Sequence, residues 1–197
     1  MLLAAAAAAM LAWSGPPTAF DERVSRGALD LALDHAVVRV PAELLSTLGR
    51  DIPTIIVMVV SVVALWRRGR RVASAWLATS ALVGYLGHSL LKPLIDRPRP
   101  DWTDALATAA TAAMPSGHAA SGIDAWVVLG LVLLAGAAGG RRWLGAAVVL
   151  IGVLMGPSRL LVGVHWPTDI LAGWLYGAAI ACLAAAAVLA VAARRIS

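Results

Sequence analysis

Long apolar runs dominate this chain of 197 residues and restrict what it can fold into. A helix needs about 20 apolar residues to cross the roughly 30 Å hydrocarbon core of a bilayer. Six apolar segments are candidates for such helices, and the first of them is short. The sequence therefore predicts an all-α integral membrane protein, with spans at about residues 1–13, 44–66, 72–91, 116–138, 143–164 and 168–193.

The composition agrees with this interpretation. Charged residues make up 14% of the chain and hydrophobic residues 60%, and the mean hydropathy is +0.83. A soluble domain has roughly 25% charged residues, so an ordinary water-soluble globule is excluded, and so is a disordered chain. The single cysteine, Cys182, excludes an intramolecular disulfide and a cysteine-based metal site.

Arginine clusters between the apolar runs indicate the orientation. The net charge is +5, but the basic residues are placed as topology signals rather than as a nucleic-acid surface. By the positive-inside rule their side of the membrane is cytoplasmic. Heavy use of Ala, Gly and Arg suggests a GC-rich bacterial genome, so we expect the membrane to be a bacterial cytoplasmic membrane. The clusters are Arg67, Arg68, Arg70 and Arg71; Arg141 and Arg142; and Arg194 and Arg195.

The first 43 residues hold an N-terminal span and an outer amphipathic segment. Residues 1–13 resemble the apolar part of a signal peptide, but no basic residues precede them, so we favour a retained helix. The segment Phe20–Val40 predicts an amphipathic helix on the membrane surface, or else a solvated loop. Its charged residues, Asp21 among them, are expected to face water. We read the whole chain as a single domain.

Three short polar stretches interrupt the apolar pattern. They are Lys92–Pro100, Pro115–His118 and Ser158–Asp169. In the predicted topology each lies at the outer end of a span or in an outer loop. Because the orientation was derived without these residues, their common side supports one shared site.

The first expectation for that site is an anion-binding pocket. Lys92, Arg99 and Arg159 bring positive charge to one membrane face, and arginine suits bidentate contact with phosphate. Ser116 and Gly117 precede an apolar helix, whose first backbone N–H groups and dipole favour an anion. Together these residues predict a cradle for a tetrahedral oxyanion.

The second expectation is a reactive histidine. His165 and Asp169 are four residues apart, which places them on one face of a helix. A carboxylate that binds one imidazole nitrogen leaves the other free as a nucleophile. His118, on a different span, could protonate a leaving oxygen and later activate water. These groups suffice for phosphoryl transfer without a metal or other cofactor.

The three stretches together resemble the PAP2 superfamily of lipid phosphatases. Its pattern K-x6-R-P, P-S-G-H and S-R-x5-H-x3-D is matched in full over a core of about residues 72–193. The resemblance implies a six-helix bundle of the acid phosphatase and haloperoxidase type. It also implies His165 as nucleophile, Asp169 as its partner and His118 as general acid and base. The implied phosphate-binding residues are Lys92, Arg99, Ser116, Gly117 and Arg159.

Two further polar residues have open interpretations. Arg97 is either a second phosphate or head-group contact, or a surface charge. Asp124 lies about 9 Å deeper than His118 at 1.5 Å per residue. It serves either the site or a substrate tunnel, or it makes an internal hydrogen bond. His88 is interpreted as structural.

We therefore expect hydrolysis of a phosphomonoester or pyrophosphate on a lipid, at the outer membrane face. The substrate is an isoprenyl diphosphate such as undecaprenyl diphosphate, or a phosphatidate-type glycerolipid. The alternatives are a lipid phosphotransferase, a vanadate-dependent haloperoxidase, and a non-catalytic protein that binds or transports lipid phosphates. The sequence leaves the oligomeric state undetermined.

Overall fold

A computed structural model describes residues 1–136 and 141–194, and in this part of the chain the regular secondary structure is helical, with no strand. Arg195, which belongs to one of the predicted cytoplasmic clusters, lies outside the described residues, and so does the predicted end of the fourth span, residues 137–138. The helices are α1 (Leu2–Trp13), α2 (Ala19–Asp34), α3 (Ala36–Leu48), α4 (Asp51–Arg67), α5 (Arg71–Ile95), α6 (Gly117–Ser121), a π-helical segment (Gly122–Val127), α7 (Val128–Gly136), α8 (Arg142–Leu161) and α9 (Pro167–Arg194).

Within residues 1–136 and 141–194, three helical stretches are long and apolar enough to cross a membrane. They are the continuous helix Gly117–Gly136, which α6, the π-helical segment and α7 form together, and the helices α8 and α9. The pair α3 and α4 would add a fourth span, but its axis bends by 63°. The all-α fold is thus confirmed for the described residues, whereas the count of six spans stays a prediction.

The predicted span over residues 44–66 covers parts of two helices with a bend between them. Residues 44–48 belong to α3, and α4 starts only at Asp51. Gly49 ends α3, and Arg50, in an extended conformation, precedes α4. Apolar residues continue on both sides of this corner, so hydropathy alone does not reveal it.

The outer amphipathic segment is two helices rather than one. α2 ends at Asp34, His35 is extended with φ −129° and ψ 103°, and α3 follows at once. Thr18 and Asp21 form a capping box at the start of α2, in which each side chain binds the other residue's backbone N–H. The face of α2 with Leu29 and Ala32 is completely buried. This segment therefore packs onto the bundle and is more than a surface loop.

The polar stretches and the arginine clusters lie at opposite ends of the bundle. Arg71 begins α5 and Lys92 lies near its end, a separation of about 30 Å along the helix. In the same way Arg142 begins α8 and Arg159 lies near its end. Arg70 donates to the backbone carbonyl of Val132 in α7, so the first cluster lies against the helix that precedes Arg141 and Arg142.

The core between these two ends is apolar and closely packed. Leu77 and Met155 are completely buried, and Met58, Trp126 and Leu129 pack with them. Gly122 and Gly152 lie where the π-helical segment and α8 approach each other closely. A Cβ atom on either glycine would collide with the backbone of the other helix. This contact holds the spans that carry His118 and Arg159 in fixed register.

Candidate active site

The three polar stretches predicted to share a site line one cavity of about 1020 Å³. It opens at the end of the bundle away from the arginine clusters, between the ends of α5 and α8 and the start of α6. The predicted residues that line it are Lys92, Arg99, Gly117, His118, Arg159 and His165. Both histidines of the expected mechanism therefore face the same space.

His165 and Asp169 form the expected pair. Nδ1 of His165 lies 3.2 Å from Oδ2 of Asp169, and both side chains are buried. The backbone N–H of Trp166 donates to the same carboxylate oxygen at 2.9 Å. Pro167 starts α9 just after His165, so Asp169 lies in the first turn and reaches back to the histidine. The pair leaves Nε2 of His165 available on the cavity side.

Arg99 occupies the position next to that nitrogen. Its Nη1 lies 2.9 Å from Nε2 of His165 and donates to the carbonyl of Val164 at 2.7 Å. Further bonds to the carbonyls of Thr111 and Ala112 hold the guanidinium in place. A phosphoryl group bound to Arg99 would therefore lie beside Nε2 of His165.

Charge and burial keep His165 neutral. Burial lowers the pKa of His165 well below its ordinary value, and the positive charges of Arg99, Lys92 and Arg159 and the ring of His118 lower it further. Only the neutral imidazole has a lone pair for attack. The cation pocket thus maintains the reactive protonation state.

Lys92 and Arg159 complete the cationic wall. Both are buried, and Nζ of Lys92 donates to the carbonyl of Ala112 at 2.7 Å. Arg159 donates to the hydroxyl of Ser46, while its Nε has no partner among the described residues. Arg50, which sequence reasoning did not select, lines the cavity as a further cation.

The helix start reaches the same cavity through Gly117, whereas Ser116 is completely buried behind it. Ser116 is the N-cap of α6, and its hydroxyl accepts from the backbone N–H of Ala119 at 3.4 Å. The first N–H groups of a helix have no partner within the helix, and Gly117 lines the cavity. The backbone N–H of Ser116 itself donates to the carbonyl of Asp169, which ties this helix start to α9.

Ser46 is a site contact that sequence reasoning missed. The Nε2 atom of His118 lies 2.8 Å from the backbone carbonyl of Ser46, and the hydroxyl of Ser46 binds Arg159. The end of α3 therefore orients both an expected acid and an expected phosphate ligand. No local motif distinguishes Ser46, because its role depends on the fold of α3 over α8.

Of the two open interpretations of Arg97, the surface charge is wrong. It is 2% exposed, and its guanidinium forms ion pairs with Asp169 at 2.5 Å and with Asp21 at 2.9 Å. It also donates to Thr168 and to the carbonyl of Gly15. Asp21, expected to face water, is likewise completely buried. These bonds hold Arg97 against the carboxylate that binds His165.

Asp124 lies completely buried in its span, and its carboxylate has no hydrogen-bond partner among the described residues. The expected internal hydrogen bond is therefore not found, although the backbone carbonyl of Asp124 accepts from Ser80. The carboxylate packs against Gly84 of α5, where a side chain would collide with it. His88 is also buried with unpartnered ring nitrogens, and it lines the site cavity.

An apolar groove of about 470 Å³ adjoins the site cavity. It runs between α4 and α5, and Asp51 and Tyr85 line both spaces. Its walls are almost entirely aliphatic, with Ile55, Val59 and Leu82 among them. A polar group in the cavity could therefore carry an attached hydrocarbon chain along this groove.

The polar groups of the site fit an anion better than a metal ion. Within residues 1–136 and 141–194, no group of three or more His, Cys, Asp or Glu side chains is arranged to hold a metal. Buried cations and a helix start surround the cavity instead, and these groups bind oxyanions.

Comparison with known proteins adds family information. The PAP2 superfamily matches residues 73–192. Decaprenylphosphoryl-5-phosphoribose phosphatase of Mycobacterium tuberculosis is 33% identical over 177 residues, covering 82% of this chain and 91% of that protein. Undecaprenyl-diphosphatase of Sulfolobus acidocaldarius is 39% identical over 69 residues, 35% of this chain, and this match spans only 30% of that protein's length.

Two solved structures share the fold. A transmembrane PAP2 type phosphatidylglycerolphosphate phosphatase from Bacillus subtilis superposes with a TM-score of 0.72 at 22% identity, covering 83% of this chain and 82% of that one. LpxE of Aquifex aeolicus superposes with a TM-score of 0.65 at 19% identity, covering 85% of this chain and 95% of that one.

Proposed function

Because this chain belongs to the PAP2 superfamily, we propose that it is a membrane lipid phosphatase whose turnover passes through a phosphohistidine on His165. One observation carries the proposal. His165 binds Asp169 through Nδ1 and presents Nε2 to Arg99 in a cavity lined by cations. A buried neutral imidazole in that position is suited to attack a bound phosphoryl group.

In the first step, the lone pair on Nε2 of His165 attacks phosphorus. The bond between phosphorus and the leaving oxygen breaks, and His118 gives that oxygen a proton. Asp169 stabilises the positive charge that develops on the imidazole. Arg99, Lys92 and Arg159 neutralise charge on the phosphoryl oxygens, a role that metal ions fill in other phosphoryl transferases.

In the second step, water attacks the same phosphorus atom. His118, now deprotonated, accepts a proton from the water, the phosphorus–nitrogen bond breaks, and inorganic phosphate leaves. His165 and His118 return to their starting protonation states. The cycle therefore needs no metal and no other cofactor.

For the substrate, we favour a polyprenyl phosphate or diphosphate over a phosphatidate-type glycerolipid. The two curated relatives are named for an undecaprenyl and a decaprenylphosphoryl substrate. The aliphatic groove between α4 and α5 offers a place for the chain while the head group reaches the cations. We expect the site to face the outer side of a bacterial cytoplasmic membrane, because the arginine clusters mark the opposite end as cytoplasmic.

The test is phosphate release by the purified full chain in detergent. The panel contains undecaprenyl diphosphate, undecaprenyl phosphate, a phosphatidate and a soluble phosphomonoester. We expect the highest kcat/KM for a polyprenyl substrate and none for His165→Ala. Higher kcat/KM for the phosphatidate would overturn the substrate preference, and release by no panel member would overturn the function.

A further inference from the structure

A chain of buried charged contacts connects the N-terminal helix α2 to the nucleophile. Asp21 binds Arg97 at 2.9 Å, Arg97 binds Asp169 at 2.5 Å, and Asp169 binds His165 at 3.2 Å. All four side chains are almost fully buried. The chain ends at the imidazole that the proposed mechanism uses.

The charges in this chain raise an electrostatic problem. Asp169 assists His165 only if its negative charge can stabilise a positive imidazole. Arg97 touches the other oxygen of the same carboxylate, so it holds Asp169 in place but also tends to cancel its charge. A buried arginine with one carboxylate would leave a neutral pair behind the nucleophile.

Asp21 resolves this problem by adding a second carboxylate. With both carboxylates ionised, Asp21, Arg97 and Asp169, which contact one another, carry one net negative charge. Burial would raise the pKa of Asp21, but hydrogen bonds from Thr18 and Thr168 and the charge of Arg97 outweigh it and hold the pKa below its ordinary value. Asp21 is therefore ionised in the folded protein.

We propose that Asp21 is a positioning residue for catalysis, which offsets the charge of Arg97 so that Asp169 stays both fixed and negative beside His165. The inference rests on the proposed function. Asp21 lies outside residues 73–192, which match the family, so the outer helix α2 supplies part of the catalytic support.

A second contact from α2 provides the matched comparison. Ser25 lies one helical turn after Asp21 and donates to the backbone carbonyl of His165 at 3.0 Å. It holds the same loop but carries no charge. Glu22, adjacent to Asp21 and exposed, gives a control in which one carboxylate is lost from the same helix without any contact to the site.

The experiment measures kcat and the inhibition constant of inorganic phosphate for the wild type, Asp21→Asn, Ser25→Ala and Glu22→Gln. The inhibition constant reports on the cation pocket, which Asp21 does not touch, whereas kcat depends on the charge behind His165. For Asp21→Asn we expect kcat to fall by about 10- to 100-fold, the usual effect of losing a partner of a functional side chain, with an inhibition constant within about twofold of the wild type. We expect Ser25→Ala to lower kcat less, and Glu22→Gln to match the wild type.

Two results would overturn the inference. If Asp21→Asn and Glu22→Gln have the same kcat, the charge of Asp21 does not contribute to catalysis. Equal losses in Asp21→Asn and Ser25→Ala, with weaker phosphate inhibition in both, would show that α2 only packs against the loop. An inactive wild type would instead refute the proposed function, so the two failures are distinguishable.

The paired variant Asp21→Asn with Arg97→Gln decides the matter if Asp21→Asn alone does not fold. It removes the negative charge of Asp21 and the positive charge of Arg97 together, and Asp169 keeps its negative charge. The inference predicts a kcat within about tenfold of the wild type, since no uncompensated cation then faces Asp169. A loss of more than about 100-fold in a folded paired variant would contradict it.

Discussion

The Nη1 atom of Arg99 lies 2.9 Å from the Nε2 atom of His165. The proposed nucleophile and a proposed phosphate ligand thus share one hydrogen bond. A phosphoryl oxygen that binds Arg99 accepts the same donor, which frees the lone pair of Nε2 and brings phosphorus next to it. Phosphate binding and exposure of the nucleophile are therefore coupled by a single side chain.

Removal of either histidine is expected to stop turnover. His165→Ala deletes the atom that bonds to phosphorus, so we expect phosphate release to fall by about 1,000-fold or more. His118→Ala removes the proton donor and should come close to this loss. His35→Ala changes an exposed histidine between α2 and α3 and should keep wild-type activity. Near-normal release by His165→Ala would refute the nucleophile assignment.

Arg99→Lys is expected to lower kcat/KM by about 10- to 100-fold. The guanidinium binds His165, Val164 and Ala112 at once, and an ammonium group cannot reproduce this fork. The size corresponds to the roughly 1.5–3 kcal/mol of one charge-assisted hydrogen bond. Steady-state kinetics on one substrate give the measurement, with Arg23→Lys on the exposed face of α2 as control. Equal values for both variants would contradict the role of Arg99.

The pH dependence follows from the lowered pKa of His165. Asp169 binds the ring of His165. Burial is the largest cause of the lowered pKa, and the facing groups Arg99, Lys92, Arg159 and His118 lower it further. Attack requires the neutral ring, so the acidic limb of kcat/KM should lie below the ordinary histidine pKa of about 6.5.

Arg99→Gln provides the sign test for this pH dependence. Loss of a positive charge favours the protonated ring, raises the pKa of His165 and moves the acidic limb to higher pH. Profiles of both proteins on one substrate give the shift, because the substrate's own ionisation is common to them. A limb that stays in place would show that a group other than His165 controls it.

Blockage of the apolar groove should distinguish substrates by chain length. Ala78 lines the groove between α4 and α5, and Ala78→Trp would fill part of it. We expect kcat/KM for a polyprenyl substrate to fall several-fold while that for a soluble phosphomonoester stays unchanged. Ala190→Trp, on an exposed face of α9, serves as control. An equal fall in kcat/KM for both substrates would show that the groove does not bind the hydrocarbon chain of the substrate.

Chelation should leave the reaction intact. The proposed mechanism neutralises phosphoryl charge with Lys92, Arg99 and Arg159, so excess EDTA should not change the rate of phosphate release. The measurement compares initial rates with and without EDTA in the same detergent. Activity that disappears with EDTA and returns with Mg²⁺ would contradict a mechanism without metal.

Much of the site could be predicted because its residues occur at fixed spacing in short stretches. The interval of four residues between His165 and Asp169 correctly predicts that their side chains meet, although His165 lies just before α9 and only Asp169 lies in its first turn. The arginine clusters and the polar stretches lie at opposite ends of α5 and α8, as the predicted topology requires. By contrast, nothing near Ser46 indicates that its carbonyl binds His118, because the two residues are far apart in sequence.

Arg97 and Asp21 show the limit of sequence reasoning most clearly. A charged residue in a loop or on an amphipathic helix is usually solvated, so Asp21 was expected to face water, and a surface position was one of two interpretations of Arg97. Burial of such charges is favourable only when partners from other elements meet them, and the partners here come from α2, the loop after α5 and the start of α9.

The amino-acid sequence by itself determined that this protein lies in a membrane, roughly where its apolar helices lie, and which polar side chains are the candidates for its site. These properties depend on hydropathy and local spacing, which each segment carries alone. Only the tertiary structure decided that α2 packs against the site, that α3 bends over His118 and that Asp21 is paired with Arg97. Those contacts join residues distant along the chain, and their free energy arises only when the helices are packed together.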